Sequence, residues 1–249
     1  MSETTTTGRA TVLLVHGAFA DASSWNGVIA RLQAKGVPVT APPNPLRGIV
    51  ADSAYIASVL EQIDGPVVAV GHSYAGAVIS NAAAQAQNVV GLVFVAAFAP
   101  EDGETLGEAA ASSKDAVLGS VQVARHYPSP DGGRAVEFTI DPSGFREAFA
   151  ADLPAEQTAV MAATQRPVAE LAFSEPNGSP AWKKLPSWAV VATADKAAGT
   201  DLVRSMAERA GATITEVDAS HVVMVSQPQA VTDVILEAVA AVAPVPAGA

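Results

Sequence analysis

One serine of this chain stands in a segment whose residue types and spacing suit nucleophilic chemistry. Ser73 lies in Gly71-His72-Ser73-Tyr74-Ala75-Gly76, the single Gly-x-Ser of the chain. The run Pro66–Val70 before it predicts a strand, and Tyr74–Gln87 after it predicts a helix. A tight turn between strand and helix is where a nucleophile elbow projects a serine hydroxyl above a sheet. Small residues at 71, 75 and 76 permit that turn, although Ala75 stands where the usual motif has glycine.

A serine hydroxyl is a weak nucleophile unless a neighbouring base takes its proton, so a histidine is required. Of the four histidines, His221 directly follows the last predicted strand, at the sheet end where a base would face Ser73. His72 adjoins the serine and is expected to point away from it. His16 is expected to brace the loop after the first strand, and His126 falls in an insertion. His221 is therefore the predicted general base.

The imidazole of such a base needs a carboxylate to hold its tautomer and stabilise its protonated form. Asp195 follows the predicted strand Ser187–Thr193 and precedes the histidine, which gives the chain order Ser, acid, His. Three other acidic residues also follow strands and remain alternatives: Glu101, Asp102 and Asp218.

An acyl-transfer intermediate carries an oxyanion, which is stabilised by preorganised N–H donors. The backbone N–H of Tyr74, directly after the serine, is one predicted donor. The segment His16-Gly17-Ala18-Phe19 supplies the other, and Ala18 is preferred over Phe19. Gly17 gives this loop the backbone freedom that such a donor position requires.

The residues predicted to contact a substrate are mostly apolar. They are Phe19, Phe98 and Val222, joined by Tyr74 and with possible contributions from His126, Tyr127 or Phe145 of the insertion. An apolar site with few charges suits a compact, neutral ester.

The elements around these residues alternate between strands and helices, which predicts an α/β fold with a mostly parallel six-stranded sheet and helices on both faces. Because ligands bind beyond the carboxyl ends of such strands, the candidate residues should meet at one edge. The whole chain, 1–249, is expected to form one domain, with a core of about 10–100 and 185–243. The insertion of about 101–184 is rich in Pro, Gly and Ser and is predicted to be a helical cap with helices at Gly144–Ala151 and Ala155–Ala163. The predicted strands are Thr11–Val15, Val37–Ala41, Pro66–Val70, Val89–Val95, Ser187–Thr193 and Thr213–Val217.

Composition narrows the classes of function. The formal net charge of −11 and the lack of a Lys/Arg cluster argue against nucleic-acid binding. The chain has no cysteine, which excludes a thiol nucleophile and thiolate metal sites. Met1–Ala10 has no secretory-signal pattern, and the longest apolar runs are about half of a membrane span, so a cytoplasmic protein without membrane contact is expected. The oligomeric state stays open, with a homodimer as one option.

With these residues in place, the sequence resembles the α/β-hydrolase superfamily from about Ala10 to Ala241. The blocks Val15-His16-Gly17-Ala18-Phe19, Gly71-His72-Ser73-Tyr74-Ala75-Gly76 and Ser220-His221 carry the resemblance by their order and spacing. Within the superfamily, the chain is similar to a small cofactor-free group of plant methylesterases, hydroxynitrile lyases and bacterial aryl or carboxyl esterases. The resemblance implies a sheet without the superfamily's first two strands, Asp195 as the acid, and neither metal nor cofactor.

The same resemblance separates the esterases from their relatives. Hydroxynitrile lyases of this group usually carry Thr or Asn where this chain has Gly17, and the S-selective ones carry Lys where it has Val222. The esterase interpretation is therefore preferred: a serine hydrolase that cleaves small, largely apolar carboxylic esters through an acyl-enzyme. Two alternatives remain, namely a cofactor-free perhydrolase or lyase that uses the same residues, and a ligand-binding receptor with little turnover.

Overall fold

The computed structural model describes residues 9–129 and 132–243. The N-terminal segment 1–8, on which most of the signal-peptide argument rests, lies outside the described residues. The described strands are β1 (Thr11–Val15), β2 (Val39–Thr40), β3 (Val67–His72), β4 (Val89–Val95), β5 (Gln122–Pro128), β6 (Arg134–Ile140), β7 (Val168–Ala169), β8 (Ser187–Ala192) and β9 (Thr213–Val217). The helices are α1 (Asn26–Ala34), α2 (Ile49–Leu60), α3 (Ala75–Ala83), α4 (Leu106–Ser112), α5 (Pro142–Phe149), α6 (Ala155–Thr164), α7 (Leu171–Ser174), α8 (Thr200–Arg209), α9 (Val223–Ser226) and α10 (Pro228–Ala241).

Six strands form one parallel sheet in the order β2-β1-β3-β4-β8-β9, and helices pack around it. This confirms the predicted fold class. The strands β3 and β8 are buried along their whole length, as expected of central strands covered on both faces. The register pairs Val15 with Gly71 and His72 with Val95, so the carboxyl ends of β1, β3 and β4 lie side by side.

Residues 101–184, called the cap below, are inserted between β4 and β8. The two predicted cap helices correspond to α5 and α6. The cap also contains a three-stranded antiparallel sheet, β5-β6-β7, that the sequence prediction did not include. Its strand β5 is largely exposed and carries Arg125 and His126, so the alternation of apolar and polar residues that predicts a strand is weak there.

The helices of the described residues are short, and the longest of them, α10, has 14 residues. None of them, within 9–129 and 132–243, has the length and apolar character that a membrane span needs.

Candidate active site

Ser73 occupies a strained turn between β3 and α3. Its φ angle is 54°, in the left-handed region that non-glycine residues seldom adopt. The surrounding backbone holds this conformation: the Ser73 N–H donates to Val95 O at 3.2 Å, and the Ser73 carbonyl accepts from Gly76 N at 3.0 Å and Phe98 N at 3.2 Å. Strain that the surroundings impose in this way is typical of functional residues. The turn has the geometry that the sequence motif predicts.

The turn requires glycine at two positions, because neighbouring atoms already occupy the space that a Cβ would need there. A Cβ on Gly71 would lie 2.6 Å from Ala75 O, and a Cβ on Gly76 would lie 2.2 Å from Phe98 O. Ala75, in contrast, is fully buried within the core with its methyl group in place. The departure from the usual motif at residue 75 is therefore accommodated, and this turn requires glycine at residues 71 and 76 instead.

His221 and Asp195 form a buried pair at the ends of β9 and β8. The ring Nδ1 lies 2.8 Å from Asp195 Oδ2, and both side chains are 1% exposed. The other carboxylate oxygen, Oδ1, accepts from the N–H groups of Ala197 at 2.8 Å and Ala198 at 3.0 Å. An ionised carboxylate can only accept hydrogen bonds, so Nδ1 of His221 must carry the proton that points to Asp195. In this tautomer Nε2 of His221 has no proton and is free to take one.

The other acidic candidates do not contact the histidine. Glu101 pairs with Lys183 on the surface. Neither Asp102 nor Asp218 forms a hydrogen bond or ion pair with His221 within the described residues. The structure thus brings His221 together with Asp195 alone among the predicted acids.

Two aromatic rings enclose the His221 ring, His72 at a centroid distance of 4.6 Å and Phe149 at 5.1 Å. The Nε2–H of His72 donates to the His221 carbonyl at 3.0 Å. Burial holds the pKa of His72 well below its ordinary value, so this ring stays neutral beside His221. No hydrogen bond joins the Ser73 hydroxyl to the His221 ring, and contacts of this kind often tighten only when a substrate binds.

His16 braces the loop after β1, as the sequence analysis predicts. Its Nδ1–H donates to Gly17 O at 2.9 Å, and its Nε2 accepts from Asn44 N–H at 2.9 Å. The side-chain NH₂ group of Asn44 also donates to the His16 carbonyl at 3.0 Å. Burial lowers the pKa of His16 to about 4, which keeps the ring neutral at physiological pH.

The predicted oxyanion donors lie beside Ser73. Ala18, Phe19 and Tyr74 line the same cavity as the serine. In the part of the chain that the structure describes, the backbone N–H groups of these three residues donate to no protein acceptor. Phe19 has a φ angle of 60°, which again marks a constrained loop. Unpaired donors at the edge of a cavity are available to an anionic oxygen.

Sequence reasoning missed the partner of the Tyr74 side chain. The Tyr74 hydroxyl donates to Asp52 Oδ2 at 2.8 Å, and the same carboxylate accepts from Arg47 N–H at 3.1 Å. Asp52 is fully buried, and burial raises its pKa. Burial, followed by the nearby Asp52 charge, raises the pKa of Tyr74 well above its ordinary value. Nothing in the sequence distinguishes Asp52 from a solvent-facing residue at a helix N-terminus.

The cavity above Ser73 has a volume of about 530 Å³. Phe19 and Phe98, two of the predicted substrate contacts, line it. His126, Tyr127 and Phe145 do not line it, and the cap instead contributes Phe138, Phe149 and Phe173. Among the described residues, its lining includes one acidic residue, Glu170, but no Lys, Arg or His, which suits a neutral ligand. The lining residues are Ala18, Phe19, Ser73, Tyr74, Phe98, Gly107, Ala110, Ala111, Ser113, Ala116, Val117, Leu118, Gly119, Ser120, Gln122, Phe138, Phe149, Glu170, Phe173, Ser174, Ala197 and Ala198.

Val222 does not line this cavity, and its prediction as a substrate contact is not met. The residue is fully buried in the hydrophobic core. The chain turns into α9 directly after His221, and the Val222 carbonyl accepts from Val225 N at 2.8 Å. This turn directs the residue after the histidine into the core instead of toward the cavity.

The fold and the site together define a class of protein. The chain belongs to the alpha/beta hydrolase family, whose sequence profile matches residues 12–234. No curated protein sequence matches the chain at a significant level.

Several crystal structures share this fold. Polyneuridine aldehyde esterase is 20% identical with a TM-score of 0.78, and the match covers 92% of this chain and 98% of that one. Tomato methylketone synthase I in complex with 2-tridecanone is 20% identical with a TM-score of 0.75, over 94% and 99%. A pyrethroid hydrolase is 21% identical with a TM-score of 0.72, over 94% and 98%. At these identities the likeness shows the fold alone.

Proposed function

We propose that this protein is a serine hydrolase that cleaves small, largely apolar carboxylic esters through an acyl-enzyme. One observation carries the proposal. A buried His221–Asp195 pair with a Nδ1–Oδ2 distance of 2.8 Å adjoins the turn that presents Ser73, at φ 54°, to an apolar cavity. This is the combination of nucleophile, base and orienting carboxylate that ester hydrolysis uses.

The proposal gives each group a role. Ser73 Oγ attacks the ester carbonyl while His221 Nε2 takes the hydroxyl proton, and Asp195 stabilises the imidazolium. The Tyr74 and Ala18 N–H groups donate to the oxyanion. The C–O bond of the ester then breaks, and the alcohol leaves with the proton from His221. Water, deprotonated by the same ring, hydrolyses the acyl-enzyme and restores Ser73.

The cavity supports the choice of substrate. Aromatic and small apolar side chains dominate its walls, and its volume of about 530 Å³ lies within the usual range for small-molecule sites. The structural neighbours include proteins named as an esterase and as a pyrethroid hydrolase, and one neighbour holds 2-tridecanone, an apolar ketone. These likenesses agree with an apolar ester as the substrate.

The test is hydrolysis of p-nitrophenyl esters from acetate to octanoate by the wild type, Ser73→Ala and His221→Ala. We expect turnover by the wild type and a fall in kcat of about 10⁴-fold or more in each variant. Ser143→Ala is the matched control, because Ser143 is an exposed cap serine bound to Asp141 and lies outside the cavity. Its activity should equal that of the wild type.

Each other outcome has a defined meaning. Equal activity of Ser73→Ala and the wild type would show that Ser73 is not the nucleophile. A wild type inactive on every ester would contradict the proposal and favour a ligand-binding receptor. Assays for cyanide release from a cyanohydrin and for peracid formation with peroxide separate hydrolysis from the lyase and perhydrolase alternatives.

A further inference from the structure

A carboxylate of the cap contacts the loop that carries the general base. Asp152, three residues after the last residue of α5, accepts a hydrogen bond from Ser220 N–H at 3.1 Å through Oδ2. Its Oδ1 accepts from the Ser220 hydroxyl. Ser220 directly precedes His221 in the sequence and is 3% exposed. Asp152 thus satisfies two donors of a nearly buried residue next to the proposed base.

The same cap segment also contacts the His221 ring. Phe149, the last residue of α5, packs its ring 5.1 Å from that of His221. Phe149 is 1% exposed and is itself held by Phe19 at 6.3 Å and Phe145 at 5.1 Å. Residues 149–152 therefore contact the His221 loop in two places, at the ring and at the preceding residue.

The other hydrogen bonds that hold this loop among the described residues come from the core, and none of them involves the Ser220 N–H. The Ala219 carbonyl accepts from Ala194 N–H at 3.1 Å, and the His221 carbonyl accepts from the His72 ring at 3.0 Å. Asp195 fixes one atom of the His221 ring. Between these anchors, the described residues provide Ser220 N–H with no acceptor other than Asp152. A buried donor that loses its partner costs free energy, so the loop would move to find another.

We infer that Asp152 is a positioning residue for His221: the cap carboxylate holds Ser220 and thereby sets the base in line with Ser73. This inference rests on the proposed serine-hydrolase function. The cap then has two roles, since the segment that supplies Phe149 to the cavity wall also fixes the base. Small displacements of a catalytic group reduce kcat strongly even when substrate binding is intact.

The test compares Asp152→Ala and Asp152→Asn with the wild type in ester hydrolysis. Because Asp152 lies on the surface, its replacement opens no cavity in the core, and thermal unfolding should confirm that both variants fold. We expect kcat to fall about 10- to 100-fold in Asp152→Ala with KM unchanged, because the base is misplaced by a fraction of an ångström to about an ångström. Asp152→Asn keeps one acceptor oxygen and should recover part of the loss.

Ser143→Ala serves as the matched control. The Ser143 N–H and hydroxyl donate to Asp141 at 2.9 and 2.6 Å, which repeats the Ser220–Asp152 pattern in the cap away from the His221 loop. A second readout is the downfield NMR signal of the His221 Nδ1 proton, which is expected to weaken in Asp152→Ala and to stay unchanged in Ser143→Ala. This signal does not depend on finding a substrate.

The outcomes separate the two proposals. A wild type that hydrolyses esters, together with an Asp152→Ala variant of equal kcat and equal ring-proton signal, overturns the positioning role. A loss confined to KM overturns it as well, since that loss would mean that Asp152 acts on substrate binding. A wild type without esterase activity contradicts the proposed function instead, and the ring-proton signal then still decides whether Asp152 positions His221.

Discussion

The turn around Ser73 and the cap above it are held in place by different kinds of interaction. At the turn, backbone hydrogen bonds hold the chain, and two glycines are packed so tightly that no side chain would fit. At Gly76, for example, a Cβ would lie 2.2 Å from a carbonyl oxygen. The cap is joined to the core partly through side chains, including Arg47–Glu137, Ser113–Asp201 and Ser220–Asp152. We therefore expect the turn to tolerate less substitution than the cap. Under the proposed function, the turn would carry the chemistry and the cap would contribute to substrate selectivity.

The largest effect should come from filling the space at the turn. Gly76→Ala should lower the free energy of unfolding by about 3 kcal/mol or more, because the new methyl group meets the Phe98 carbonyl and cannot be accommodated without a backbone shift. Gly119→Ala in the cap is the matched control, since no atom lies within 4 Å of a Cβ there. Urea unfolding of both variants measures the difference. Equal stability of the two would contradict the proposed rigidity of the turn.

The second effect is a loss of core stability in acid. The pKa of buried His16 is about 4, against about 6.5 for an unfolded histidine, so between these values only the unfolded state binds the proton. Stability is then full above about pH 6.5 and falls as the pH drops toward 4, by about 3 kcal/mol from His16. His72, with its pKa lowered by burial, acts in the same direction.

Urea unfolding at about pH 7.5 and about pH 4.5 measures this loss. His16→Gln removes the titrating ring and should reduce the pH dependence, even though it also breaks the contact with Asn44. His126→Gln, at an exposed position of the cap strand β5, is the control and should keep the pH dependence of the wild type. An unchanged pH dependence in His16→Gln would disprove the assignment to this residue.

Most of the core, but less of the cap, could be predicted from the sequence, and the reason is physical. Buried parallel strands such as Val89–Val95 are continuous apolar runs, and the turn at Ser73 requires small residues at fixed positions. The cap strand Gln122–Pro128 is largely exposed and has no such pattern. Asp52 was missed, and Val222 was expected at the cavity but lies in the core, for a related reason: the direction of a side chain next to a turn depends on tertiary packing, which local residue types do not encode.

The third effect concerns a polar contact behind the turn. Tyr74→Phe removes the one side-chain donor that Asp52 has among the described residues and should cost about 1–3 kcal/mol of stability, because the buried carboxylate then keeps only backbone N–H donors such as that of Arg47. Tyr127→Phe is the matched change in the cap, where the Tyr127 ring lies under the Arg47 guanidinium at 4.5 Å. Its hydroxyl makes no hydrogen bond in the described part of the chain, so its loss should leave stability unchanged. A similar loss of stability in both variants would mean that the Tyr74–Asp52 hydrogen bond does not stabilise the fold.

The smallest effect is expected for the ion pair between Arg47 and the cap residue Glu137, at 2.7 Å. Glu137→Gln should lower stability by less than about 1 kcal/mol, because the Arg47 side chain is 42% exposed and solvent screens the pair. Glu216→Gln, which breaks the more exposed pair with Arg204, is the comparison and should cost less still. Urea unfolding at low and high salt distinguishes them, since screening should reduce both costs. A cost for Glu137→Gln that matches Tyr74→Phe and persists at high salt would show that the cap is bound as firmly as the turn, and the contrast between the two regions would fail.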